Sequence, residues 1–132
     1  MDDDQKIRER IERYCDAVNR RDGAAWIACW WPDAVWMIHD RRVEGAQTIL
    51  STWETAMAGY AHIHFFAQIG SISRTDDRAI LRVYTTEYLT TTEGAQRLQV
   101  GEYDDVMLRQ DGDWRFTQRS YRVREQRHVP SG

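Results

Sequence analysis

Apolar residues recur at Ile7, Ile11, Tyr14, Cys15 and Val18, the spacing i, i+4, i+7, i+8, i+11 that lines one face of a helix. Asp2, Asp3 and Asp4 supply an N-cap and an acidic first turn that suits the helix dipole, and the helix ends near Arg21. Asp22 then reads as the cap of a second, short helix from Ala24 to Trp30. Trp31-Pro32 closes it, because the residue before proline avoids the α region. A strand from Ala34 to His39 follows. Ile49, Leu50, Trp53, Ala56 and Met57 return to helical spacing and predict a third helix from Gly45 to Met57, with Gly59 as its stop.

From Ala61 onward the period changes. Long β segments run from His62 to Ile72, Ala79 to Thr91, Arg97 to Arg109 and Trp114 to Arg124, separated by turn signals. The turns are Thr75-Asp76-Asp77, Thr92-Glu93-Gly94 and Asp111-Gly112-Asp113, the last a strong hairpin signal. Helices first and strands after, without β-α-β alternation, give an α+β fold in which helices cover the inner face of a curved, mostly antiparallel sheet. No repeat or linker interrupts it, and residues 1–132 read as one domain.

Strand alternation sorts the chemistry. His62, His64, Phe66 and Gln68 share one face of the first long strand, and Ala61, Ile63, Phe65, Ala67 and Ile69 the other. Two histidines on one face are either a site or ordinary edge residues. On the next strand Glu87 continues the apolar row Leu81, Val83, Thr85. Facing the helices it would be a buried carboxylate with a raised pKa, and at the rim a solvated end residue. Tyr103 and Asp105 share a face, as do Arg119, Tyr121 and Val123, and an Asp105 to Arg119 pair would be structural. Tyr84, Tyr88 and Ile63, read as exposed on the outer face, predict a homodimer or higher homo-oligomer.

Composition adds one feature above all. Of six tryptophans, Trp26, Trp30, Trp31 and Trp36 lie between Val18 and Ile38, and so many rings in a small domain imply an aromatic pocket for a small hydrophobic molecule. Other features mainly exclude. A net charge of -3 and a pI near 5.8 argue against nucleic acid, even though Arg119, Arg122, Arg124 and Arg127 form a basic run. Cys15 and Cys29 sit in helix-like apolar patterns, as buried thiols of a reducing compartment do. The acidic start Met1-Asp2-Asp3-Asp4 is unlike a signal peptide, and no apolar run approaches the length of a membrane span, so a cytoplasmic protein without membrane contact is expected. With no helical H-x3-H and no cysteine pair, no metal is expected either.

The order I-x3-I-x2-Y-x4-N-x2-D, then W-W-P-D-A, then H-I-H, then G-x-Y-x-D ahead of R-x-D-G-x-W-R-F-x-x-R resembles the SnoaL-like branch of the nuclear transport factor 2-like superfamily. The likeness runs from about Ile7 to Val123. Residues Val18 to Ile38 look most like gamma-hexachlorocyclohexane dehydrochlorinase, and the layout is similar to scytalone dehydratase and bile acid 7-alpha dehydratase. The resemblance implies a cystatin-like cone and a lyase or isomerase without cofactor, acting on a hydrophobic cyclic substrate. In that scheme His64 is the base, Tyr14 and Arg119 steady the negative charge that develops, and Trp36 and Phe66 are walls. His62, Glu87, Tyr103 and Asp105 complete the expected substrate-binding set.

One position departs from the family. Asn19 stands where the relatives carry the aspartate that orients the histidine, and an amide can orient an imidazole but cannot neutralise it. Three readings stay open. Another carboxylate compensates, with Asp105 and Glu87 as candidates; or His64 works unassisted on a more acidic proton; or the pocket binds without catalysis, in a ligand-binding protein or accessory subunit resembling the aromatic-ring dioxygenase β subunit. If the dyad is only retuned, Asn19→Asp should raise activity. A cone filled by Trp30, Trp36 and Met37 would leave no room for a ligand.

Overall fold

The first helix, α1 (Asp3–Arg20), begins in a capping box. The Asp2 carboxylate accepts the Gln5 N–H at 2.8 Å, and the Gln5 side chain accepts the Asp2 N–H at 3.0 Å. It ends where Arg21 turns left-handed at φ 54°. Asp22 accepts the Ala25 N–H at 3.1 Å and so caps α2 (Gly23–Ile27). After strands β1 (Trp30–Ile38) and β2 (Arg41–Glu44) comes α3 (Ala46–Ala58). Four long strands follow: β3 (Tyr60–Thr75), β4 (Arg78–Thr91), β5 (Gln96–Gln110) and β6 (Asp113–Val129). This is a computed structural model describing residues 2–130. Met1, counted above with the acidic start, and Ser131 and Gly132, counted in the expected domain, lie outside the described residues.

All six strands form one mixed sheet in the order β2-β1-β6-β5-β4-β3. Only β1 and β6 pair parallel, and the other neighbours are antiparallel. The α+β cone expected from the sequence is the fold observed.

The largest differences from the sequence pattern lie between the first helix and the third, while the long strands run a few residues past their expected ends. The second helix stops at Ile27, and the strand after it starts at Trp30 and runs through Pro32. Proline is tolerated there because the β1–β6 register breaks between Trp30 and Val35, so no ladder N–H is required of it. The short β2 was not foreseen. His39 and Asp40, at φ 49° and 60°, make the two-residue turn into it, and His-Asp lacks the glycine that usually marks such a turn.

Two bulges in β6 decide which residues face inward. Thr117 is the extra residue between the pairs Met107–Phe116 and Val106–Gln118, and Arg124 between Gly101–Val123 and Val100–Glu125. Each shifts the alternation by one, so Phe116, Arg119, Tyr121 and Gln126 all come to the concave side. Helices α1 and α3 cover that side. Beneath them Trp26 stacks on Trp53 at 4.6 Å and meets Trp30 and Trp36 at 5.4 and 5.5 Å. The basic run at the end of the chain is paired with acids on its own sheet face: Arg122 and Arg124 share Glu102, at 2.8 and 2.6 Å, and Arg127 reaches Glu125 at 2.8 Å. No helix among the described residues is long and apolar enough to cross a membrane.

Candidate active site

Between the concave face and helices α1 and α3 a cavity of about 100 Å³ remains. Trp36, Trp53, Ile63 and Phe65 give it apolar walls, and all four side chains are buried. Tyr14, Glu87, Gln99, Tyr103 and Tyr121 contribute its polar atoms. His39 is exposed and Met57 and Tyr60 half-buried, which marks their side as the opening. Apolar cavities of roughly 150 Å³ hold a single benzene ring; this one is smaller and open on the His39 side, so a single small ring would enter only in part from that side and a fused polycycle would not fit.

Glu87 is the cavity's one carboxylate among the described residues. Burial pushes its acid up from 4.5 to about 7, against the opposing pull of the Arg97 guanidinium. Arg97 makes no ion pair with it and instead donates from Nη2 to the Tyr60 hydroxyl at 2.7 Å. The phenols are held neutral. Burial raises Tyr14, Tyr103 and, to about 12, Tyr121, which leaves them hydrogen-bond donors at any ordinary pH.

Below this floor lies a charged pair. Arg119 donates from Nε and Nη2 to the two Asp105 oxygens at 2.7 and 2.9 Å, and both side chains are about 1% exposed or less. The guanidinium carbon sits 3.6 Å from the Tyr103 ring centre and 4.5 Å from that of Tyr14. Burial pushes the Asp105 acid up and Arg119 pulls it down, and the fork geometry with an always-charged guanidinium keeps the pair ionised.

Of the residues expected at the site, Tyr14, Trp36, Tyr103 and Glu87 line the cavity. The others do not meet there. His64, expected as the base, is exposed on the opposite face of β3, because alternation turns Ile63 and Phe65 inward. His62 and Phe66 share that outer face, Phe66 at 58% exposure, so neither is a wall. Asn19 does not orient a histidine. Its Oδ1 accepts the Phe65 N–H at 2.8 Å, and its Nδ2 donates to the carbonyls of Phe65 at 2.8 Å and Cys15 at 2.9 Å. Arg119 and Asp105 lie behind the tyrosines and touch the cavity only through them.

The aromatic stretch is also used differently than expected. Trp26 and Trp30 are core, and Trp31 donates to the Leu108 carbonyl at 2.9 Å under the Arg115 guanidinium. Only Trp36 of that group reaches the cavity, which neither Trp30 nor Met37 fills. Ile63, read as an exposed outer residue, is buried at 7% exposure. Sequence reasoning missed Gln99, Tyr121, Phe65, Trp53 and His39. Gln99 shares parity with Tyr103, and Phe65 with Ile63, so for those two the alternation was a usable signal, whereas His39 depends on a turn with no sequence signature.

Residues 1–120 match the sequence pattern of the SnoaL-like domain. The chain belongs to that family. Among solved structures, a hexachlorocyclohexane dehydrochlorinase of type 2 superposes with a TM-score of 0.89 at 16% identity, over 97% of this chain and 89% of the other. A scytalone dehydratase-like protein from Novosphingobium aromaticivorans gives 0.86 at 17% identity, over 97% and 88%. A protein of unknown function from Mycobacterium tuberculosis gives 0.78 at 26% identity, over 90% and 70%. At the first two identities the likeness speaks for the fold alone. No curated protein matches the sequence.

Proposed function

We propose that this SnoaL-like protein is a cofactor-free lyase or isomerase of compact cyclic molecules, with Glu87 in place of His64 as the group that moves the proton. The observation carrying this reading is Glu87's position: an unpaired carboxylate on the inner face of β4, in a cavity walled by Trp36, Trp53 and Phe65, poised to change protonation near neutral pH. As carboxylate it takes a proton from a ring carbon beside an electron-withdrawing group. The electron pair left on carbon shifts to a neighbouring oxygen or expels a leaving group, and buried phenols stabilise the charge that forms. In isomerisation the Glu87 acid returns the proton to another carbon, and in elimination it gives it to the departing oxygen.

The activities of the structural relatives, dehydrochlorinase and scytalone dehydratase-like, are eliminations on ring compounds and agree in class. A second reading, binding without turnover, is favoured by one fact: the amide of Asn19 is committed to backbone and His64 faces out, so no histidine dyad is assembled. Incubating compact cyclic ketones, alcohols and halides with the protein in heavy water separates the two. Deuterium entry beside the carbonyl, or loss of water or halide, that disappears in Glu87→Gln while the ligand still binds supports catalysis. Binding without either reaction supports the second reading.

Self-association through the outer sheet face belongs to the same proposal, carried by Phe66, Ile80 and Tyr88, each about half exposed there.

A further inference from the structure

A row of polar side chains crosses three strands at one level. Glu87 on β4 pairs in register with Gln99 on β5, and Gln99 with Gln126 on β6. Gln126 shares their face only because of the Arg124 bulge. Its Nε2 donates to Gln99 Oε1 at 2.8 Å, and Gln99 Nε2 donates to the Tyr121 hydroxyl at 2.9 Å.

The direction of this relay has a chemical consequence. The Gln99 oxygen already has a donor, so its amide presents N–H to Tyr121. A phenol that accepts there keeps its own proton; no bond to Glu87 uses it, and Thr85, the other hydroxyl against this phenol, is buried without another partner and has a proton of its own to donate. Gly101 holds the arrangement open, since a Cβ at that position would overlap the Tyr121 hydroxyl and ring carbons. No arginine or lysine lines the cavity among the described residues, so nothing there favours an anionic ligand. What converges is a donor hydroxyl, a carboxylate one strand away and apolar walls.

We propose that Tyr121, turned into a donor by Gln126 and Gln99, binds the carbonyl oxygen of a compact neutral cyclic ketone whose acidic C–H faces Glu87. Tyr121 touches the substrate, while Gln99 and Gln126 are positioning residues. A ring halide accepts hydrogen bonds poorly and would leave the oriented proton unmatched, and an alcohol would bring a second donor to a place that already supplies one. The inference rests on the reading of the cavity as a proton-transfer site, and it narrows the substrate to carbonyl compounds.

The test is the infrared carbonyl band of cyclohexanone labelled with carbon-13 at the carbonyl and bound to the full chain. In the wild type the band falls to lower frequency than in hexane, and Tyr121→Phe removes that shift and weakens binding about five- to tenfold, the worth of one hydrogen bond. Gln99→Glu, nearly isosteric, presents only acceptor oxygens, so it draws the Tyr121 proton away and removes the shift with the tyrosine still in place. A structural role for Gln99 would leave the band unmoved. An unshifted band in the wild type, a shift that survives Tyr121→Phe or Gln99→Glu, or failure of the ketone to bind at millimolar concentration overturns the proposal. A shift dependent on Tyr121 without deuterium exchange keeps it and removes the catalytic reading. Exchange without such a shift does the reverse.

Discussion

Asn19 and Phe65 are joined by two hydrogen bonds of 2.8 Å, the side-chain amide of one matching the backbone N–H and C=O of the other. The amide thus fastens α1 to β3 as a neighbouring strand would. A carboxylate could accept from Phe65 N–H but would meet two carbonyl oxygens, of Phe65 and Cys15, with nothing to donate. Asn19→Asp is therefore expected to lower stability by roughly 1–3 kcal/mol in urea unfolding and to give no new elimination activity. A stable variant with raised turnover would show that the retuned-dyad expectation was right.

Glu87 makes stability depend on pH. Burial lifts its folded-state acid from 4.5 to about 7, so between those values the folded protein binds more protons than the unfolded chain. Stability then falls as pH rises through that window, and the full penalty, up to roughly 3 kcal/mol, is present above it. Glu87→Gln should leave stability near the wild-type value at about pH 4 and raise it at about pH 8. Parallel denaturation curves at both pH values would count against a half-buried, unpaired carboxylate.

The pair beneath the tyrosines offers a test of folding energetics. Arg119→Met leaves Asp105 charged with no partner in a fully buried place, and a loss of roughly 3–5 kcal/mol is expected. Arg119→Met with Asp105→Leu should recover most of it. If the double variant is as unstable as the single one, the cost lies in packing against Tyr14 and Tyr103 and not in the orphaned charge.

On the outer face, Phe66 and Tyr88 are more than half exposed and occupy adjacent strands. Sedimentation at micromolar concentration should show a dimer or larger assembly, and Phe66→Arg should shift it toward monomer. A wild-type monomer at that concentration would remove the self-association proposal.

The fold was legible because it is written in periods: Ile7, Ile11, Tyr14 and Val18 at helical spacing, and the long alternating strands after Ala61. The site was legible only where alternation is unbroken. Glu87 and Tyr103 lie on regular stretches and fall where their parity puts them, whereas Gln126 changes face at a bulge that no residue type announces. His64 misled for a different reason. A motif match aligned it with a catalytic position, but its own neighbours Ile63 and Phe65 claim the inner face, and burial of two apolar side chains outweighs one imidazole. Asn19 could not be read from spacing, because its partner is a backbone unit on β3, far along the chain.

Whether Glu87 or His64 moves the proton in this cavity is decided by the rate of solvent deuterium entry into a bound cyclic ketone, compared among wild type, His64→Ala and Glu87→Gln across pH. The expected result is a wild-type rate that climbs as pH passes about 7 and the carboxylate forms, an unchanged rate in His64→Ala, and no exchange above background in Glu87→Gln. Exchange lost in His64→Ala and kept in Glu87→Gln would contradict it.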